Sequence, residues 1–195
     1  MKDATFFSVD VAVAKARNTA YYADTTALQP FDQVVQPGAA LTNRTFRFLS
    51  EARYPDGIDR EQPGPFSILN HPNIDPLTGE NIGGPAAAGT FDPAVNPNTA
   101  SVLGFDSFFP NTNFQDPDNA ANQNGIVFFP GSVPLYKNGQ LVGGFGVSGD
   151  GVDQDDVVTF LGATGFLPPN NLRADQFTFR DVRLPFQKFL RNPFG

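Results

Sequence analysis

The sequence predicts an α+β domain, an antiparallel sheet with flanking helices. Three observations carry that expectation: an Ala-faced helix near the start, a tight hairpin at residues 131–149, and an acidic helix start directly after it. Its 195 residues suit one domain, 1–195.

The first helix spans residues 5–23. Val9, Ala12, Val13, Ala16, Ala20 and Ala23 recur at spacings of three and four, which is one helical face. Asp10, Lys15, Arg17 and Asn18 lie off that face. Residues 41–51 form a short second helix ended by Tyr54-Pro55. Residues 55–124 are rich in Pro, Gly, Asn and Asp and read as an insertion. Its aromatics (Phe66, Phe91, Phe105, Phe108, Phe109, Phe114) are expected to pin it onto the body.

After Gly125, Ile126–Phe129 reads as a short strand and Pro130-Gly131 as a turn. Val133–Lys137 and Gln140–Val147 form a hairpin around Asn138-Gly139, a dipeptide suited to positive φ at both turn positions. A two-residue loop pairs Tyr136 with Leu141, Leu135 with Val142 and Pro134 with Gly143. Pro134 lacks a ladder donor, so the pairing is expected to be irregular there. A third helix runs from Asp153 to about Gly162, with Asp153 as cap and Asp156 in the reciprocal position. Gln176–Leu184 reads as a last strand with a slip at Asp181, within an extension covering 168–195.

Composition narrows function. A net charge of −7 argues against nucleic acid and anionic membrane surfaces as partners. No run of eighteen apolar residues exists to span a bilayer. Residues 1–20 are amphipathic rather than charged-then-apolar. With no Cys, thiolate metal sites, disulfides and thioether-attached haem are excluded. One histidine, His71, leaves no Ser/His/Asp arrangement and no usual zinc set. It sits in Asn70-His71-Pro72-Asn73 and reads as a loop residue.

Gly144-Phe-Gly146-Val-Ser-Gly149 fits G-x-G-x-x-G, but the glycines fall in a hairpin strand. A dinucleotide fingerprint needs them at a strand-to-helix turn. The helix that follows opens with Asp150, Asp153, Asp155 and Asp156, which repel phosphate. Alternation instead puts Val142, Gly144, Gly146 and Ser148 on one face as a shallow trough. The favoured reading is that the Ala-faced helix nests there; the other is a flat apolar ligand. The acidic run could hold a cation, but a helix start is favoured. Asp116, Asp118 and Asn119 read as turn residues. Asn43-Arg44-Thr45 is a glycosylation pattern and reads as chance. Lys15 and Arg17 are either a solvated helix face or a recognition pair for carboxylates.

Val11-Ala-Val-Ala-Lys-Ala-Arg17 with Thr19-Ala20, then Phe129-Pro-Gly-Ser-Val-Pro-Leu135, Val142-Gly-Gly-Phe-Gly-Val-Ser-Gly149 and Gln154-Asp155, resemble the GlcG/HbpS-like haem-binding (haem-degrading) family. The resemblance covers roughly 3–24 and 125–165. It implies a profilin-like fold with a five-stranded antiparallel sheet, homo-oligomers, and haem or tetrapyrrole binding with at most weak haem breakdown. By family analogy alone the setting is extracytoplasmic. The family core starts with a helix and two strands before the segment matched here, so the chain is expected to lack them and to expose a sheet edge. The resemblance makes Gly144, Gly146 and Ser148 a haem-contacting surface and Lys15 and Arg17 the cations for propionates. It supplies no iron ligand. By chemistry the candidates are Tyr21, Tyr22, Tyr54, Tyr136, His71, a weak oxygen ligand or a second subunit. The rival reading is a non-catalytic structural or interaction domain of a larger secreted protein.

Overall fold

A computed structural model describes residues 6–28, 33–51, 53–55, 58, 61–66, 126–149 and 151–188. His71, Asp116, Asp118, Asn119, Asp150 and the insertion beyond Phe66 lie outside them. The fold is α+β, as predicted. The order is α1 (Phe6–Ala23), α2 (Asn43–Leu49), β1 (Ser132–Lys137), β2 (Gln140–Gly146), α3 (Val152–Gly162), β3 (Thr178–Phe179) and β4 (Val182–Arg183). Among the described residues there are two antiparallel sheets, each of two strands. The five strands implied by the resemblance go beyond what these residues contain. No described helix is long and apolar enough to cross a membrane.

The hairpin turns where Asn-Gly demands: Asn138 has φ 52° and Gly139 φ 77°. Its register departs from expectation. Tyr136 pairs with Leu141, but Leu135 pairs with Gly143 and Pro134 with Gly144. Val142 is the extra residue of a bulge and is 57% exposed. Gly143, at φ 152°, supplies the backbone conformation the bulge needs.

α1 lies on the glycine face of β2, as the favoured reading required. A Cβ on Gly144 would stand 1.9 Å from the Ala16 carbonyl oxygen, and one on Gly146 2.1 Å from that of Ala12. The helix backbone therefore touches the strand backbone directly. The buried stripe of α1 is rotated from the predicted one. Val13 is 48% exposed, while Lys15, Asn18 and Thr19 are at most 1% exposed. Polar residues win these positions because each has a fixed partner inside.

Ile126–Phe129 is not a strand. Its backbone is satisfied by side chains: Val127 N–H donates to Asn18 Oδ1 at 2.9 Å, and Asn43 Nδ2 donates to the Val127 carbonyl. Two asparagines thus replace a neighbouring strand. α2 begins at a capping box of two threonines, Thr42 and Thr45, in place of the usual Thr and Glu. α3 is preceded by Gly151 rather than capped by Asp153, and no side chain caps it. The predicted last strand is a two-rung hairpin. Arg180 and Asp181, at φ 49° and 63°, form its turn.

The core joins α1 to the segment that ends the described residues. Tyr22, Phe46 and Phe66 meet tilted or edge-to-face, with centroids 4.7–6.1 Å apart. Phe66 is 1% exposed, so the start of the 55–124 region is pinned as expected. The stretch after 168 contributes Ala174, Leu184 and Phe186 to the same core.

Because backbone meets backbone at Gly146, a methyl group there cannot be absorbed by a rotamer change. Gly146→Ala is expected to destabilise by about 2–3 kcal/mol in urea unfolding. A change below about 0.5 kcal/mol would contradict the close approach.

Candidate functional site

The motif residues that carry the resemblance converge on one buried polar node. α1 brings Lys15, the 130–132 turn brings backbone groups, the end of β2 brings Val147, and the N-terminal half of α3 brings Asp155 and Asp156.

Lys15 is 1% exposed. Its ammonium donates to the Pro130 carbonyl at 2.7 Å, the Val147 carbonyl at 2.6 Å and Asp155 Oδ2 at 3.0 Å. An ammonium has three donors, and all three are used. Burial lowers the Lys15 pKa, and the bond to Asp155 opposes that shift. Gly131 makes room for the pair: a Cβ there would meet Asp155 Cβ at 2.5 Å and Lys15 Nζ at 3.0 Å.

Asp156 is fully buried and has three partners. Oδ1 accepts from Gly131 N–H at 3.0 Å, while Oδ2 accepts from Arg44 Nε at 2.5 Å and Lys188 N–H at 2.8 Å. Asp153, on the solvent side, accepts from Arg44 Nη2 at 2.8 Å and from Lys188 Nζ. Burial works to lower the Arg44 pKa, but its bonds to Asp156 and Asp153 outweigh that and raise it. A second layer sits beneath. Ser132 Oγ donates to Asn43 Oδ1 at 2.5 Å, and Asn43 Nδ2 donates to Asn18 Oδ1 at 3.2 Å.

The acidic run is thus a set of anchors for three cations, Lys15, Arg44 and Lys188, and two backbone amides. Among the described residues no His/Cys/Asp/Glu group could hold a metal ion. Arg44, Asn18 and Asn43 were not predicted as site residues. Arg44 was hidden in a glycosylation pattern, and only its two partners in space, Asp153 and Asp156, account for its place.

The predicted site residues divide. Lys15 is walled in, and the trough of Gly144 and Gly146 is filled by α1. Arg17 is half-buried, and burial lowers its pKa. Ser148 is half-buried just past β2. Three of the four tyrosines do not fit iron. Tyr22, Tyr54 and Tyr136 are 2%, 0% and 5% exposed. Burial pushes the Tyr54 phenol up to about 12 and raises that of Tyr136, which disfavours the phenolate that iron requires. Tyr21 is half-buried edge-on against Tyr22, with centroids 5.2 Å apart. No iron-borne step follows from these residues.

The outer part of the node carries an acid dependence. The Lys188 bond, then the Arg44 bond, hold the Asp153 pKa below its ordinary 3.8. A depressed carboxylate pKa gives stability that is full above pH 3.8 and is lost as pH falls through the lowered value. Thermal unfolding followed from pH 6 to about pH 2 is expected to show that loss. Asp153→Asn should be less stable above pH 4 and should show a shallower acid decline. An identical acid slope in both proteins would contradict the assignment.

No curated protein and no solved structure matches the chain. A family model described as haem degrading protein HbpS-like matches residues 95–163. The match takes in the 130–132 turn, the whole hairpin and α3, which supply most of the node. Residues 95–163 thus carry a match to the HbpS-like family model, and the likeness is to that part of the chain.

Proposed function

We propose that the chain is a haem-related binding module that takes a tetrapyrrole at its surface, with at most weak haem breakdown. The observation that carries this reading is the HbpS-like match over residues 95–163. Lys15, Gly144 and Gly146 then serve by positioning α1, not by touching the ligand. The described part of the matched segment offers apolar side chains at its surface: Phe129, Val142, Val158 and Leu161 are 49–57% exposed. A flat macrocycle buries such surface favourably. Arg17 stands one turn beyond the exposed Val13 on the same stripe of α1 and is the cation for a propionate. Ser148 borders the end of β2 as a polar contact.

The second reading is a non-catalytic structural or interaction domain. The observation favouring it is that the residues marking a ligand surface, Lys15 and the two glycines, are consumed by internal packing.

Haemin titration separates the two. The haem reading expects a saturable Soret shift at micromolar haemin, weakened roughly tenfold in Arg17→Ala by loss of a charged hydrogen bond. An absent shift overturns it and leaves the structural reading. A shift indifferent to Arg17→Ala removes Arg17 from the site.

A further inference from the structure

A groove of about 410 Å³ opens on the part of the fold outside residues 95–163. That volume lies within the range of small-molecule sites, roughly 300–1,000 Å³. Phe48 of α2 and Leu184, Pro185 and Phe186 of the returning chain give it an apolar lining. Leu184 and Phe186 are 1% and 4% exposed, so this lining is fixed by the core behind it.

The polar members of the lining are Asp175, Arg183 and Gln187. With Arg173 beside them, the charges here do not balance. Arg173 already holds both oxygens of Asp175, at 3.1 and 2.7 Å. Arg183 is fastened through Nε to the Asp175 carbonyl at 2.7 Å and reaches Oδ2 only at 3.4 Å. Two guanidinium groups therefore share one carboxylate, which leaves a net positive charge beside the groove in a chain of net charge −7. The Arg183 side chain is 69% exposed, yet its Nε bond orients the guanidinium. Gln187 is 6% exposed. Its Nε2 donates to the Ser132 carbonyl and Thr159 Oγ1, which fixes the amide orientation and leaves Oε1 without a partner among the described residues.

We propose that this groove binds a small apolar carboxylate, an aromatic or branched acid of metabolite size. Its carboxylate pairs with the Arg183 guanidinium, where a planar fork matches it. Its apolar body lies along Phe48 and Pro185. The site is separate from the haem reading and does not depend on it.

The test is a fluorescence titration of the full chain with the apolar anion 1-anilinonaphthalene-8-sulfonate, followed by displacement with 2-naphthoate. The expected result is a saturable enhancement that 2-naphthoate reverses. Arg183→Ala should weaken binding roughly tenfold, with partial recovery in Arg183→Lys. Phe48→Ala should weaken it as well, and Phe166→Ser, outside the groove, should not. Circular dichroism establishes that each variant is folded. The proposal is overturned by any of three results: no enhancement, affinity unmoved by both Arg183→Ala and Phe48→Ala, or failure of 2-naphthoate to displace the probe.

Discussion

The structure depends on one buried ammonium. Lys15 enters the interior from α1 and must find three acceptors there, because an ammonium removed from water without them costs several kcal/mol. It finds two backbone carbonyls and Asp155. These come from three separate places in the chain: the 130–132 turn, the end of β2 and the first turn of α3. Only one mutual arrangement of those pieces satisfies the charge. The apolar contacts around it are less selective, since a helix lined with alanine could slide along a bare strand at little cost.

The glycines of β2 follow from this constraint. With Lys15 held at the hairpin end, α1 must lie low enough for Ala12 and Ala16 carbonyls to rest on Gly146 and Gly144. Side chains at either position would lift the helix and pull the ammonium from its acceptors. Gly131 has the same logic on the other side, where Asp155 crowds it. Asp156 then ties the node to α2 through Arg44 and to the chain end through the Lys188 amide. The motif that resembles a phosphate-binding loop is, in physical terms, the floor under a helix.

Local signals in the sequence were sufficient for some parts. The Asn138-Gly139 turn, the three helices and the close approach at Gly144 and Gly146 all follow from residue type and spacing. Other parts were set by tertiary partners that spacing does not reveal. Lys15 and Asn18 look like solvent residues on a helical wheel, and only the acceptors opposite them make burial favourable. Ile126–Phe129 has the composition of a strand, but Asn18 and Asn43 satisfy its backbone instead. The bulge at Val142 displaced the register by one residue, which a turn-based count cannot anticipate. The resemblance named Lys15 and Gly146 among the site residues, and the two lie side by side in space. It did not reveal that their meeting place is closed to solvent.

The central claim is that Lys15 and Asp155 act as one structural unit. A double-mutant cycle with Lys15→Met and Asp155→Leu, read by urea unfolding of all four proteins, tests it most directly. The account expects each single variant to lose about 3–5 kcal/mol by stranding a buried charge or its acceptors. It expects the double variant to lose clearly less than the sum, with a coupling of about 2 kcal/mol or more. Additive losses, with a coupling under about 0.5 kcal/mol, would contradict it.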